Sequence, residues 1–290
     1  NNLVGISLLA MLSHGEKKEG DYKKKIRSFE KSILRRFDRM DKGPFDNRGY
    51  GHCWALIALS ELYLIEPKTK YKQAIEKGLN YIKKGQCEDG NFCYGFTTKG
   101  SFVSSNFTAF VLYTLKRLSF TDIKQQEVKS LIKRTTKGLM SLQHKDSFKA
   151  TASGVLKNKN KLLAYRGLCT SSLWNLTEDK RLAKLLKKIH KEDIPKFQFD
   201  GDGFPRLLCS YLSLQSARVE KKYWMKSHKH IYKTILKAQK EDGSWEVKVN
   251  PKETIYHRLN NPNVYATAIS VLILNSHLLS WDEEDLPKEK

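Results

Sequence analysis

Gln86-Cys87-Glu88-Asp89-Gly90-Asn91-Phe92 returns later in the chain as Gln239-Lys240-Glu241-Asp242-Gly243-Ser244-Trp245, with the amide, the Glu-Asp-Gly turn and the aromatic ring in the same places. A looser copy reads Arg39-Met40-Asp41-Lys42-Gly43-Pro44-Phe45, and a shortened one Gln143-His144-Lys145-Asp146-Ser147-Phe148. The copies start at 39, 86, 143 and 239, which are 47, 57 and 96 residues apart, the last being two steps of 48. A period in the forties is the length of one helical hairpin in a repeat array.

Two kinds of helix alternate around these turns. Segments 2–12, 51–64, 104–118, 162–176, 204–216 and 264–279 are apolar on most sides, which predicts buried helices. Segments 22–37, 70–84, 125–142, 179–189 and 221–238 are basic with an apolar stripe at i, i+3, i+4, i+7, which predicts helices with one wet face. Six inner helices alternating with five outer ones describe hairpins packed side by side until the ring closes. The expected fold is all-α, an α/α toroid of about six hairpins, forming a single domain over 1–281 with a solvated tail over 282–290. Strand is expected only as short pairings near the Phe92 and Trp245 turns.

Composition sets limits on function. The chain has 290 residues, 40% of them hydrophobic, enough for a large core, and no apolar run reaches the length of a membrane span. Five cysteines in no CxxC pattern read as free thiols, which favours a reducing, cytoplasmic compartment; a leader removed ahead of Asn1 would leave the same sequence. The net charge of +22 has two readings, a lysine-rich solvated face or a specific acidic partner such as an acidic glycan or a membrane surface. Nucleic acid is not expected, because no recognisable module interleaves aromatics with the basic residues.

A Gln-x3-Gly-x-Trp/Phe segment ending an outer helix and leading into an inner one resembles the QW repeat of squalene and hopene cyclases and of protein prenyltransferase β-subunits. Tyr50–Tyr63 and Val264–Leu274 resemble the bacterial, planctomycete-type prenyltransferase/squalene-oxidase repeat proteins in particular. The resemblance spans nearly the whole chain. It implies an apolar or isoprenoid-like ligand in a central cavity whose aromatic faces stabilise cations. The reaction centres of those enzymes are missing. The acid motif Asp-x-Asp-Asp is reduced to Asp200-Gly201-Asp202-Gly203, no Asp-rich magnesium motif occurs, and no Asp-x-Cys zinc pair is present, so neither metal nor cofactor is expected.

The N-terminal ends of the inner helices and the loops before them should surround the central pocket of such a ring. Those ends carry the candidate ligand-binding residues His52, Trp54, Tyr94, Asn106, Tyr165, Arg166, Asp200, Arg206 and Tyr265, with Asp202, His257 and Tyr256 as candidate catalytic groups. Three functions remain open at this point. The resemblance favours an apolar ligand. Alternatively, α/α toroids also carry polysaccharide lyases, in which Asn or Arg neutralises a uronate and His or Tyr removes the α-proton, and the rim holds all four residue types. The third possibility is a non-enzymatic scaffold for an acidic partner.

Overall fold

The computed structural model describes residues 3–13, 20–39, 45, 49–96, 103–145, 147–149, 159–174, 176–177, 179–194, 221–246 and 261–275, with the backbone alone for 159–165, 193 and 221–226. Ten α-helices lie among them: α1 Leu3–Ser13, α2 Lys23–Asp38, α3 Tyr50–Ile65, α4 Thr69–Lys84, α5 Ser105–Leu118, α6 Gln125–Ser141, α7 Lys159–Leu173, α8 Lys180–Lys188, α9 Lys221–Lys237 and α10 Pro262–Leu274. The expected inner helix over 204–216 lies outside the described residues.

The two helix classes separate as their patterns require. In α3 every residue from Gly51 to Ser60 is buried, whereas α2 buries only Ile26, Glu30, Ile33 and Phe37, one stripe of a helix whose remaining surface is mostly Lys and Arg. Inner helices pack in the order α10, α1, α3, α5, α7, and each of α1, α3, α5 and α7 also packs on the helix that follows it. Contact between α10 and α1 brings the first and last described helices together, as the α/α toroid expected from the repeat requires. Gly5 permits the tight α1–α3 approach, since a Cβ there would stand 2.6 Å from the Ala55 nitrogen.

The repeated turn has one architecture in both full copies. Gln86 Nε2 donates to the Gly90 carbonyl at 3.1 Å, and Gln239 Nε2 to the Gly243 carbonyl at 3.0 Å. Asp89 and Asp242 accept from the backbone two residues on, at Asn91 and Ser244. Phe92 N donates to Thr108 Oγ1 on α5 at 2.9 Å, and Trp245 N to Thr267 Oγ1 on α10 at 3.1 Å. Each turn therefore ties the end of one outer helix to the first turns of the next inner helix. Gly90 and Gly243 take φ of +87° and +79°, a region that favours glycine.

Short pairing does appear at the Phe92 turn, as the bridges Gln86 to Phe92 and Cys93 to Val103. The only two strands among the described residues fall instead on the shortened copy, where β1 (Gln143–His144) pairs antiparallel with β2 (Ser147–Phe148). No strand is assigned around Trp245 among the described residues. Losing a residue turns the loop into a tight hairpin, and neither side-chain amide atom of Gln143 finds a hydrogen-bond partner.

The first full turn also docks on the neighbouring outer helix. Gln86 Nε2 reaches Thr135 Oγ1 at 2.9 Å, and a Cβ on Gly138 would stand 2.7 to 2.8 Å from the backbone of Asp89, Gly90 and Asn91. Backbone, not a pliable side chain, blocks that position. The Gly138→Ala variant should lose about 1–3 kcal/mol of unfolding free energy in urea titration, while the neighbouring exposed Lys137→Ala should stay within about 0.5 kcal/mol.

Candidate active-site rim

Two different surfaces meet at the end of the ring where the inner helices begin. Between α3 and α5 lies an aromatic shelf. Tyr50, the first residue of α3, has its ring 5.2 Å from Phe107, 5.3 Å from Phe110 and 5.8 Å from Tyr94. Tyr94 sits on the turn Tyr94–Phe96 just past the first repeated segment and is 44% exposed, so it is the open edge of the stack. Deeper in, Trp54 meets Phe110 at 4.9 Å and Phe110 stacks on Tyr113.

Between α5 and α7 the rim is polar. Ser104 caps α5 by accepting from Phe107 N, and the Ser105 carbonyl accepts the Cys169 thiol at 3.6 Å. Cys169 lies in the third turn of α7 and meets the first residue of α5, so α7 begins nearly three turns before the level at which α5 starts. Arg166, one turn before Cys169, is only 5% exposed there. Around that contact the buried atoms Ser105 Oγ, Asn106 Oδ1 and Thr170 Oγ1 have no hydrogen-bond partner. Buried polar atoms are normally satisfied, so such a group is suited to a ligand that brings donors and acceptors with it.

Towards the other ends of these helices, the buried Arg117 of α5 and the partly buried Glu61 of α3 form an ion pair. Sequence reading passed over this pair, although two charges inside otherwise apolar helices were a legible signal. Thr170 was likewise missed, despite standing one turn from Arg166 on the same helix.

The candidate residues divide accordingly. Tyr94 is the exposed edge of the shelf, Asn106 lies in the first turn of α5, and Arg166 is buried on α7 one turn before Cys169. Trp54, 2% exposed, is wedged between α3 and α5, and Tyr265 is buried in α10. His52 faces outward: its Nε2 donates to the Gly78 carbonyl of α4 at 3.1 Å, and its ring is enclosed by Phe37, Tyr81 and Phe96. Tyr165 is on α7 with its side chain outside the described residues, and Asp200, Asp202, Arg206, Tyr256 and His257 lie wholly outside them. No group of three or more His, Cys, Asp or Glu that could hold a metal occurs among the described residues. A separate cleft of about 690 Å³ follows the α1–α10 seam, lined by Ser7, Met11, Asn261, Asn263, Thr267 and Val271 among others, with Tyr22 its single described aromatic.

Residues 11–143 match the family model described as pectic acid lyase. No curated protein sequence matches the chain. Among solved structures, the chain is similar to an α-1,6-mannanase, GH76A of Salegentibacter sp. HEL1_6, as an inactive variant in complex with α-1,6-mannotriose: TM-score 0.67, 11% identity, covering 96% of this chain and 89% of that one. It is also similar to a GH76 α-mannanase of Bacteroides thetaiotaomicron (TM-score 0.61, 11% identity, 95% and 83% covered). A possible GH105 member from Salmonella enterica gives a TM-score of 0.58 at 12% identity, with 96% and 82% covered.

These findings correct three expectations. The resemblance to squalene cyclases and prenyltransferases does not hold, since the matches are a pectic acid lyase model and glycosidase toroids. An isoprenoid-like ligand, as function and as partner, falls with it. The physical reason lies in the turn: Gln, Gly and an aromatic fasten one hairpin to the next in any such ring, so they report the fold and carry nothing about the ligand. The deep aromatics meant to line an apolar cavity are consumed in packing α3 on α5.

Burial lowers the pKa of His52 to about 4, with its hydrogen bond to Gly78 opposing weakly, and burial does the same to His190. Their folded values lie below the unfolded value of about 6.5, so the unfolded chain binds more protons between those limits. Stability should be fully present above about pH 6.5 and fall towards pH 4, by as much as about 3 kcal/mol per histidine. Chemical denaturation across that range checks this, and His52→Gln should flatten the slope.

Proposed function

We propose that this chain is a polysaccharide-acting enzyme that engages an acidic glycan at the open rim and cleaves it by β-elimination. What carries the reading is the buried Arg166 of α7, one turn from Thr170, together with the aromatic shelf between α3 and α5, in a chain whose residues 11–143 match a pectic acid lyase model. Aromatic faces suit the apolar C–H faces of sugar rings, and the guanidinium suits a uronate carboxylate, which it can grip with two parallel hydrogen bonds. The surplus of positive charge draws a polyanion towards the ring.

The chemistry assigns each group a task. In a uronate the proton on C5 is α to the carboxylate, and its removal builds negative charge on that carboxylate. Arg166 opposes the charge as it develops, which is where electrostatic help lowers a barrier most. Asn106 hydrogen-bonds the sugar, and Tyr50 and Tyr94 hold its ring against the shelf. A base takes the C5 proton, the C4–O4 bond breaks, and the departing oxygen is protonated as a C4–C5 double bond forms. His257 and Tyr256, in the segment leading into α10, are the groups we assign to the proton transfers, with Arg206 as a second carboxylate partner.

Incubation with polygalacturonate should produce ultraviolet-absorbing unsaturated ends. Arg166→Lys, which keeps the charge and loses the planar fork, should lower that rate by on the order of 10²-fold with the fold intact by circular dichroism. Release of reducing sugar from α-1,6-mannan without any unsaturated product would replace elimination with hydrolysis.

A further inference from the structure

The two full repeats place the same pair of positions in contact across the turn, and each fills them with groups that can bond. In the second copy these are Lys240 and Glu246, joined as an ion pair with Nζ 2.7 Å from Oε2. In the first they are Cys87 and Cys93, whose sulfurs lie 3.6 Å apart. The backbones match, with Cys87 N donating to the Asn91 carbonyl and Lys240 N to the Ser244 carbonyl, both at 2.9 Å. The turn itself, held by the Gln amide and the Asp side chain, thus brings these two positions together whatever occupies them.

We propose that Cys87 and Cys93 are a modification site: they form an intramolecular disulfide across the first repeated turn by exchange with a low-molecular-weight disulfide such as oxidised glutathione. Cys87 is the half-buried member and Cys93 the buried one. The Cys87 thiolate attacks the external disulfide and expels one thiolate, leaving a mixed disulfide on Cys87. Cys93 then attacks the Cys87 sulfur and expels the second thiolate, which takes the Cys93 proton. Two protein thiols are oxidised, one external disulfide is reduced to two thiols, and no other reactant is needed. Burial, and after it the hydrogen bond with Cys87, pushes the Cys93 thiol up to about 11, so the first attack falls to Cys87, and Cys93 resolves because its sulfur already lies against that of Cys87. The sulfurs need approach by only about 1.6 Å to reach bonding distance, within reach of side-chain rotation.

The bond would act on the rim. Cys93 directly precedes Tyr94, the open edge of the shelf, so the crosslink fixes the lead-in to that ring without touching α5 or α7.

The test is a glutathione-buffered titration of the whole protein with intact-mass and peptide readouts. The expected result is a loss of about 2 Da, a peptide linking Cys87 to Cys93, and a melting temperature raised by about 3–6 °C over the reduced protein. Cys87→Ser should abolish the rise without changing the reduced protein's melting by more than about 2 °C. A stable glutathione adduct of about 305 Da on Cys87, or a linked peptide joining either residue to Cys53, Cys169 or Cys209, would overturn the assignment.

Discussion

The ring depends on one recurring connection, the turn that fastens the end of an outer helix to the inner helix after it. A glutamine amide holds the turn closed, an aspartate accepts from its backbone, and a threonine hydroxyl on the inner helix receives the N–H of the buried aromatic residue. A lone helical hairpin cannot bury its inner helix. Chained through these turns, α1, α3 and α5 are each covered by an inner helix on both sides and by an outer helix behind. Contact between α1 and α10 then covers the flank of α1 that an open array would leave exposed.

The same connection makes the two ends of the ring unequal. The two full repeated turns each lead towards the start of an inner helix, α5 and α10. There the shelf of Tyr50 and Tyr94 lies on one side of α5 and the contact of α5 with α7 on the other, while Glu61 and Arg117 pair towards the other ends of α3 and α5. The sugar-acid site we propose draws on the aromatic surface and the buried Arg166, and not on the fold alone. The fold leaves both options available, and the residues at the rim decide between them.

Much of this was legible in the chain. The amphipathic stripe of α2 and the unbroken burial of α3 follow from spacing alone, and helix ends came within a few residues of the expected ones. Asn106 and Arg166 were expected near the starts of inner helices; Asn106 is the second residue of α5, whereas α7 begins earlier than expected and leaves Arg166 two turns in. His52 shows the limit of that argument. It shares the first turn of α3 with Tyr50, but a rotation of roughly 200° around the helix axis aims the two rings at different neighbours, one at α4 and one at α5. The QW-type resemblance failed for a related reason, since a motif whose atoms are all engaged in fastening the fold retains none for a ligand.

Local sequence therefore determined which segments are helices, which of their faces are buried, and that hairpins of this length stack into a closed ring, because hydrophobic periodicity and turn chemistry act over a few residues. Tertiary structure alone decided which polar side chains share the rim, that Glu61 answers Arg117 across 56 residues, and that Cys87 meets Cys93 as Lys240 meets Glu246. Those meetings depend on the rotation of each helix about its axis and the depth at which it docks. Both are set by the close packing of all the neighbours together, which no single stretch of sequence encodes.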